Sequence, residues 1–313
     1  MDEPQLIVAD DVLDSPARTR PPEREPLRVA AVQQGWRPDP GEHKEALSRG
    51  VRMAAEAGAK LVCLQELTLS RYFAVDEGGP RAAGVEPEEL PGGATHEFAA
   101  GLAAELGVHV HASLYERAPG TDGLGFNTAI VVQPDGTLAA RTRKLHIPIT
   151  AGYYEDRYFR PGPGDTEPYP VTSVSDGRFG FPTCWDQWFP EVARAYSLRD
   201  ADALIYPTAI GSEPEHPEFD TQPLWEQVIV GNGIANGLFM VAVNRIGEEP
   251  PLMFYGSSFI SDPYGRILVR APRNRSAVIV ADLDLDQRRD WLELFPFITT
   301  RRPDTYASLA VES

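Results

Sequence analysis

The chain is poor in cysteine, in basic residues and in long apolar runs, and each shortage excludes a class of function. Only two cysteines, Cys63 and Cys184, occur in 313 residues. They are too few for a zinc cage or a disulfide framework, and neither sits in a C-x-x-C pair. No stretch approaches the roughly 18 consecutive apolar residues that a membrane-spanning helix needs. Lys and Arg number 29 against 46 Asp and Glu, a formal net charge of −17. That sign disfavours nucleic acid and anionic lipid as partners and is compatible with a cationic small molecule. The first residues lack the basic start, apolar run and small-residue cleavage site of a secretory signal, so a reducing, cytoplasmic setting is expected.

Hydrophobic residues at 42% provide for a sizeable core. Residues 1–26 hold seven acids, three arginines and five prolines, which reads as an acidic, Pro-rich tail, flexible or draped on the surface. From residue 27 onward, strand and helix patterns alternate. The β-rich runs lie at 27–33, 60–65, 109–116, 127–133, 178–183, 203–209, 238–244 and 277–283. Apolar residues at helical spacing lie at 42–57, 95–106, 189–200 and 224–236, with Thr95 as a cap and Gly58 and Gly107 as stop signals. Pro134-Asp135-Gly136 and Asp262-Pro263-Tyr264-Gly265 mark hairpin turns. No linker interrupts the pattern, so residues 27–313 are expected to form a single α/β domain with mixed sheets.

Cys184, in FPTCWDQWFPE, ends a strand-like run just before a helix. There a thiol can stand on a sharp turn beside helix-start N–H groups able to receive an oxyanion. A thiol with an ordinary pKa near 8.5 needs a base or a cation to act at neutral pH. No histidine shows a partner motif. His109 and His111 share a strand face but have no third ligand at a sensible spacing, so no metal is expected. Glu66, at the end of the apolar run KLVCLQ, is placed where parallel strands present functional groups. Lys144, in RTRKLHIP, is placed to offer a fixed positive charge. Taken alone, each residue also has an ordinary reading: a small buried hydrophobe, a strand-end acid, a solvated lysine.

Six segments change those readings together: LQEL (64–67), RKLHIP (143–148), CWDQWFPE (184–191), YPTAIGSEP (206–214), AVNRIG (242–247) and FYGSSFI (254–260). In this order the chain resembles the nitrilase superfamily of carbon–nitrogen hydrolases from about residue 27 to 306. Within it the likeness is greatest to the N-carbamoylputrescine amidohydrolases and their β-ureidopropionase-like relatives. The resemblance implies a four-layer α-β-β-α sandwich of two mixed sheets, assembly into homo-oligomers, and catalysis without a cofactor. It implies Cys184 as nucleophile, Glu66 as general base, Lys144 as catalytic lysine and Glu155 as a second glutamate positioning the lysine and substrate. Lys144 and the Trp185 N–H are the implied oxyanion donors.

The implied reaction cleaves a non-peptide C–N bond through a thioester-like intermediate, with N-carbamoylputrescine giving putrescine, CO2 and ammonia. Other small amides, ureides or nitriles are the alternative, as is a catalytically silent binding protein of the same fold. A distal ammonium needs an anionic partner in the pocket; Glu213 is the expected anchor and Asp186 the second candidate. Three features depart from the family pattern. Pro182 and Thr183 precede the nucleophile, and Pro182 should end or distort the strand. Asn232 stands where a histidine is usual. The N-terminal tail is the third.

Overall fold

The computed structural model describes residues 3–9, 11–120, 122–213 and 215–310. Its first half contains strands β1 (Gln5–Val8), β2 (Leu27–Gln33), β3 (Leu61–Cys63), β4 (His109–Glu116), β5 (Phe126–Val132) and β6 (Leu138–Arg143), with helices α1 (Pro40–Glu56), α2 (Gly79–Ala82) and α3 (Ala94–Leu106). The second half contains β7 (Thr172–Val174), β8 (Gly177–Gly180), β9 (Ala203–Pro207), β10 (Phe239–Val243), β11 (Ile246–Glu249), β12 (Leu252–Tyr255), β13 (Phe259–Ser261), β14 (Ile267–Arg270) and β15 (Ala277–Leu283). Helices α4 (Pro190–Ser197), α5 (Gln222–Asn236) and α6 (Asp286–Leu294) complete it.

Two mixed sheets result. One has the order β1-β15-β2-β3-β4-β5-β6 and the other β14-β13-β10-β9-β8-β7, with β11 and β12 as a separate hairpin. The period-2 geometry of the strands sorts their side chains into layers. Along β2, Val29 and Ala31 face the interior between the sheets, where they join Phe179, Phe181 and Val241. Ala30 and Val32 face outward against Leu47 and Val51 of α1 and Leu102 of α3. On the second sheet, Met240 and Ala242 meet Trp225 and Ile229 of α5 and Val192 of α4. Both sheets are therefore covered on their outer faces, giving the four-layer α-β-β-α order. Helix α1 lies so close to β2 that a Cβ on Gly50 would stand 2.4 Å from a Val32 methyl.

The local expectations were met unevenly. Asp39 caps α1 by accepting from the Glu42 N–H at 2.8 Å, and Gly107 and Gly237 end α3 and α5 with positive φ. Thr95 does not cap α3. The helix starts one residue earlier, and Glu88 takes both the Thr95 hydroxyl and its N–H. Strand β8 ends at Gly180, two residues before Pro182. Helix α6 and the β11–β12 hairpin have no counterpart in the sequence reading.

The segment expected as a flexible or surface-draped tail lies against the body, and it contributes a strand. Met1, Asp2 and Asp10 fall outside the described residues. Gln5–Val8 pairs in parallel with β15 and covers an edge that would otherwise present unpaired backbone groups. Behind it, Arg24 donates to Asp202 at 2.9 Å, Asp286 at 2.8 Å and the Leu285 carbonyl at 2.7 Å. Arg18 pairs with Asp284.

Asp202 and Asp286 are only 5% and 4% exposed, so Arg24→Ala leaves both carboxylates short of their guanidinium partner. The expected loss is about 2–3 kcal/mol of unfolding free energy in urea titration, less than for a fully buried pair because Arg24 is partly exposed. Burial opposes the charge of Asp286, yet its hydrogen bonds from Glu23 and Arg24 hold its pKa below the ordinary value. Its contribution is thus present above about pH 4 and lost as the pH falls through the depressed value, and the difference between wild type and variant should narrow there. A change under about 0.5 kcal/mol at pH 7 would show that the clamp adds nothing.

Candidate active site

The parallel strands deliver the expected residues to one end of the sandwich. Strands β2, β3 and β4 run parallel, and β6 runs the same way after two antiparallel steps. Glu66 follows β3 and Lys144 follows β6. In the other sheet β8, β9 and β10 are parallel, and they are followed by Cys184, Ala209 and Asn244–Arg245. Cys184 begins a short 3-10 turn, Cys184–Trp188, with φ of +42°. This left-handed conformation is unusual for a side chain larger than glycine and marks a tight elbow between strand and helix.

Lys144 is the hub. Its ammonium donates to both oxygens of Glu155, at 2.7 and 2.9 Å, and to Glu66 Oε1 at 3.2 Å. All three residues are essentially inaccessible to solvent. Burial opposes the lysine's charge, but Glu155 and Glu66 outweigh it, and its pKa lies above the ordinary value. Burial and the neighbouring Glu66 raise Glu155, which Lys144 opposes. Glu66 Oε1 also accepts from Asn127 Nδ2 at 2.7 Å. Its other oxygen, Oε2, is buried and makes no hydrogen bond within the protein, which leaves it as the oxygen able to receive a proton. Burial, then Glu66, push the Cys184 thiol well above its usual range, against the pull of Lys144 and a hydrogen bond from the Ala209 backbone. A thiol raised in this way needs a base if it is to act as a nucleophile.

A cavity of about 400 Å³ opens over Cys184 and Glu155. It is walled by Tyr153, Trp185 and Trp188 and continues to Glu213, His216 and Phe219. Glu213 is half-buried, and its pKa is raised by that burial. Pro214, the last residue of the IGSEP segment, lies outside the described residues. Among the described residues no lysine or arginine lines the cavity, and no group of three or more His, Cys, Asp or Glu is arranged to hold a metal ion. His111 is buried and stacks on Phe181 between the sheets, where burial pushes its pKa down to about 3.

Asp186 does not face the cavity, which corrects its placement as a substrate-binding candidate. Its carboxylate accepts from the N–H groups of Thr183 (3.1 Å), Leu145 (3.4 Å) and His146 (3.0 Å), and from His146 Nδ1 at 2.7 Å. It ties the Cys184 turn to the segment carrying Lys144. Asn232, on α5, donates to the Gln187 carbonyl at 2.9 Å and so braces the same turn.

Several residues at the site escaped the sequence reading. Tyr72 lines the cavity and donates to Glu155 Oε1. Arg245 donates to the carbonyls of Glu66 (2.7 Å), Leu67 and Ser70 (3.2 Å each) and pairs with Glu249 at 2.6 Å. Asn244 bonds to the Ile210 backbone and the Gly256 carbonyl. Gly256, at φ +56°, has no room for a Cβ, which would meet the Arg273 carbonyl at 2.8 Å. Arg245, Asn244 and Gly256 were visible only as letters of the AVNRIG and FYGSSFI segments. Nothing local marked Tyr72 or Asn127.

A buried thiol, a carboxylate with one free oxygen and a fixed ammonium form the set needed for acyl transfer at a C–N bond. The sequence pattern of the carbon–nitrogen hydrolase family matches residues 28–293, and the chain belongs to that family. It is 37% identical over 291 residues to an N-carbamoylputrescine amidase of Solanum lycopersicum, an alignment spanning 90% of this chain and 94% of that protein. It is 34% identical to a citrullinase of Francisella tularensis subsp. tularensis, over 90% and 96%. The crystal structure of a carbon–nitrogen hydrolase from Helicobacter pylori G27 superposes with a TM-score of 0.76 at 31% identity, covering 92% and 99%.

Asp186→Asn places an amide group among N–H donors. The expected result is a fall in kcat of roughly tenfold or more, with KM for charged and uncharged substrates altered alike. A rise in KM confined to a cationic substrate would return Asp186 to the role of anchor.

Proposed function

We propose that this carbon–nitrogen hydrolase acts on an N-carbamoyl amine with a distal ammonium, and that N-carbamoylputrescine is the substrate that fits best. One observation carries the reading. The cavity runs from the Cys184 thiol to the Glu213 carboxylate, and away from the thiol end no lysine or arginine lines it among the described residues, while Lys144 is already paired with Glu155 and Glu66. A ureido group at the thiol end leaves a butyl-ammonium tail to reach Glu213, where a half-buried carboxylate stabilises a cation that apolar walls alone would not. A substrate ending in a carboxylate, such as N-carbamoyl-β-alanine, would meet Glu213 with like charge. Citrulline would bring a carboxylate as well as an ammonium. The relative named a citrullinase makes citrulline the comparison of choice.

In the proposed mechanism Glu66 Oε2 takes the thiol proton as Sγ attacks the carbamoyl carbon. The carbonyl oxygen becomes an oxyanion stabilised by the Lys144 ammonium and the Trp185 N–H. Each well-placed donor of this kind contributes about 3–4 kcal/mol to the barrier reduction. Protonated Glu66 then gives its proton to the departing nitrogen, releasing ammonia or the amine and leaving a thioester-like adduct on Cys184. A water molecule deprotonated by Glu66 hydrolyses that adduct, and the carbamic acid formed decomposes to CO2 and the second nitrogen product. Glu155 takes no part in bond making; it holds Lys144 in place.

The test is ammonia release. Wild type is expected to turn over N-carbamoylputrescine well ahead of citrulline and N-carbamoyl-β-alanine, and Cys184→Ala to be inactive on all three. Preference for either carboxylate-bearing substrate would overturn the substrate assignment, and turnover by Cys184→Ala the mechanism.

Glu213→Gln separates the anchor from the chemistry. KM for N-carbamoylputrescine is expected to rise roughly tenfold or more, while kcat/KM for an uncharged alkylurea of similar length changes by less than about threefold. An unchanged KM for the cationic substrate would remove Glu213 from the assignment.

A further inference from the structure

The segment from Glu66 to Tyr72 leaves β3 as an arch with both ends on the reactive cluster. At one end Glu66 Oε1 meets Lys144, and at the other the Tyr72 hydroxyl meets Glu155. The arch is wrapped around a buried ion pair. Arg245 gathers the carbonyls of Glu66, Leu67 and Ser70, and its partner Glu249 accepts the Tyr72 N–H at 2.7 Å. The Tyr72 ring stands edge-on to Phe254 with 5.9 Å between centroids, and the Arg245 guanidinium lies 5.5 Å over the same Phe254 ring. Tyr72 is 1% exposed, and its hydroxyl donates to Glu155.

We propose that Tyr72 is a positioning residue for the reaction. Its phenol, on a backbone held by Glu249 and a ring set edge-on to Phe254, holds Glu155 against Lys144 and thereby fixes where the ammonium points. The inference rests on the proposed roles of Cys184, Glu66 and Lys144. Its physical basis is the balance of charge in a closed space. Lys144 is shared by two carboxylates, and a buried carboxylate needs more than half an ammonium to stay charged. Asn127 is the extra donor for Glu66, and Tyr72 is the extra donor for Glu155. Burial and the surrounding carboxylates push the phenol's own pKa well above the usual range, so it remains a donor throughout the working pH. The other titratable groups around Glu155 are Glu66, Lys144, Cys184 and Tyr153. None of these supplies a second neutral donor to its carboxylate.

A hydrogen bond to the charged form of a carboxylate favours that form, so removing it raises the carboxylate's pKa. If Glu155 takes up a proton, Lys144 loses its anchor. Tyr72→Phe is therefore expected to lower kcat roughly tenfold, to leave KM within about twofold, and to move the acid limb of the kcat–pH profile upward by about one unit. Replacing Tyr72 by a ring-fluorinated tyrosine, a stronger donor of nearly the same shape, should move that limb downward. In a Glu155→Gln background, Tyr72→Phe should cost less than about twofold further. An acid limb that stays in place in both Tyr72 variants, or a rise in KM alone, would reduce Tyr72 to a wall of the cavity. Full additivity with Glu155→Gln would do the same. Turnover by Cys184→Ala, by contrast, would overturn the underlying mechanism, so the two failures are distinguishable.

Discussion

The structure turns on one buried ammonium shared between two carboxylates. Lys144, Glu66 and Glu155 lie where water does not reach, and removing such ions from solvent costs several kcal/mol each unless the partners are close and every oxygen is accounted for. Glu155 meets that condition through Lys144 and Tyr72. Glu66 meets it on one oxygen only, through Lys144 and Asn127. The other oxygen is left without a partner within the protein, and the charge of the same carboxylate, after burial, raises the Cys184 thiol. The cluster thus satisfies its buried charges except at one carboxylate oxygen.

Much of the rest of the fold serves to keep that assembly in register. The cluster draws on loops from both sheets, and a shift of an ångström between them would open the Lys144 contacts. Asp186 stitches the Cys184 turn to the segment of Lys144 through four donors. Arg245 and Glu249 fix the Glu66–Tyr72 arch. Asn232 and Trp225 of α5 brace Gln187, one through its carbonyl and one through its side chain. The N-terminal segment contributes at a distance: Arg24 ties the start of β9 to α6, holding the second sheet to the helix that follows the first.

The sequence made the alternation of strands and helices legible because the central strands β2 to β5, β9, β10 and β15 are buried on both faces and α1, α3, α4 and α5 each bury an apolar side. It placed Glu66, Lys144 and Cys184 correctly at strand ends, and the family resemblance supplied the layer order and Glu155. What stayed hidden depends on long-range contacts. Gln5–Val8 is a strand only because the edge of β15 is open beside it, and a four-residue run among acids and prolines carries no period to announce it. Asp186 reads as a candidate substrate anchor, since a carboxylate beside a nucleophile in sequence suggests one. Only the fold shows that backbone N–H groups of two segments claim it first. Tyr72 and Asn127 join the cluster by reaching across 83 and 61 positions of chain to Glu155 and Glu66, distances over which no local pattern operates.

The central claim is that Cys184 carries the carbonyl carbon covalently, driven by Glu66 and Lys144. The most direct measurement is the mass of the protein quenched during turnover of N-carbamoylputrescine, followed by peptide mapping. The account predicts a transient adduct of one carbamoyl or alkylcarbamoyl group on the peptide containing Cys184, absent from Cys184→Ala. Turnover with no adduct at Cys184, or with the adduct on another residue, would contradict it.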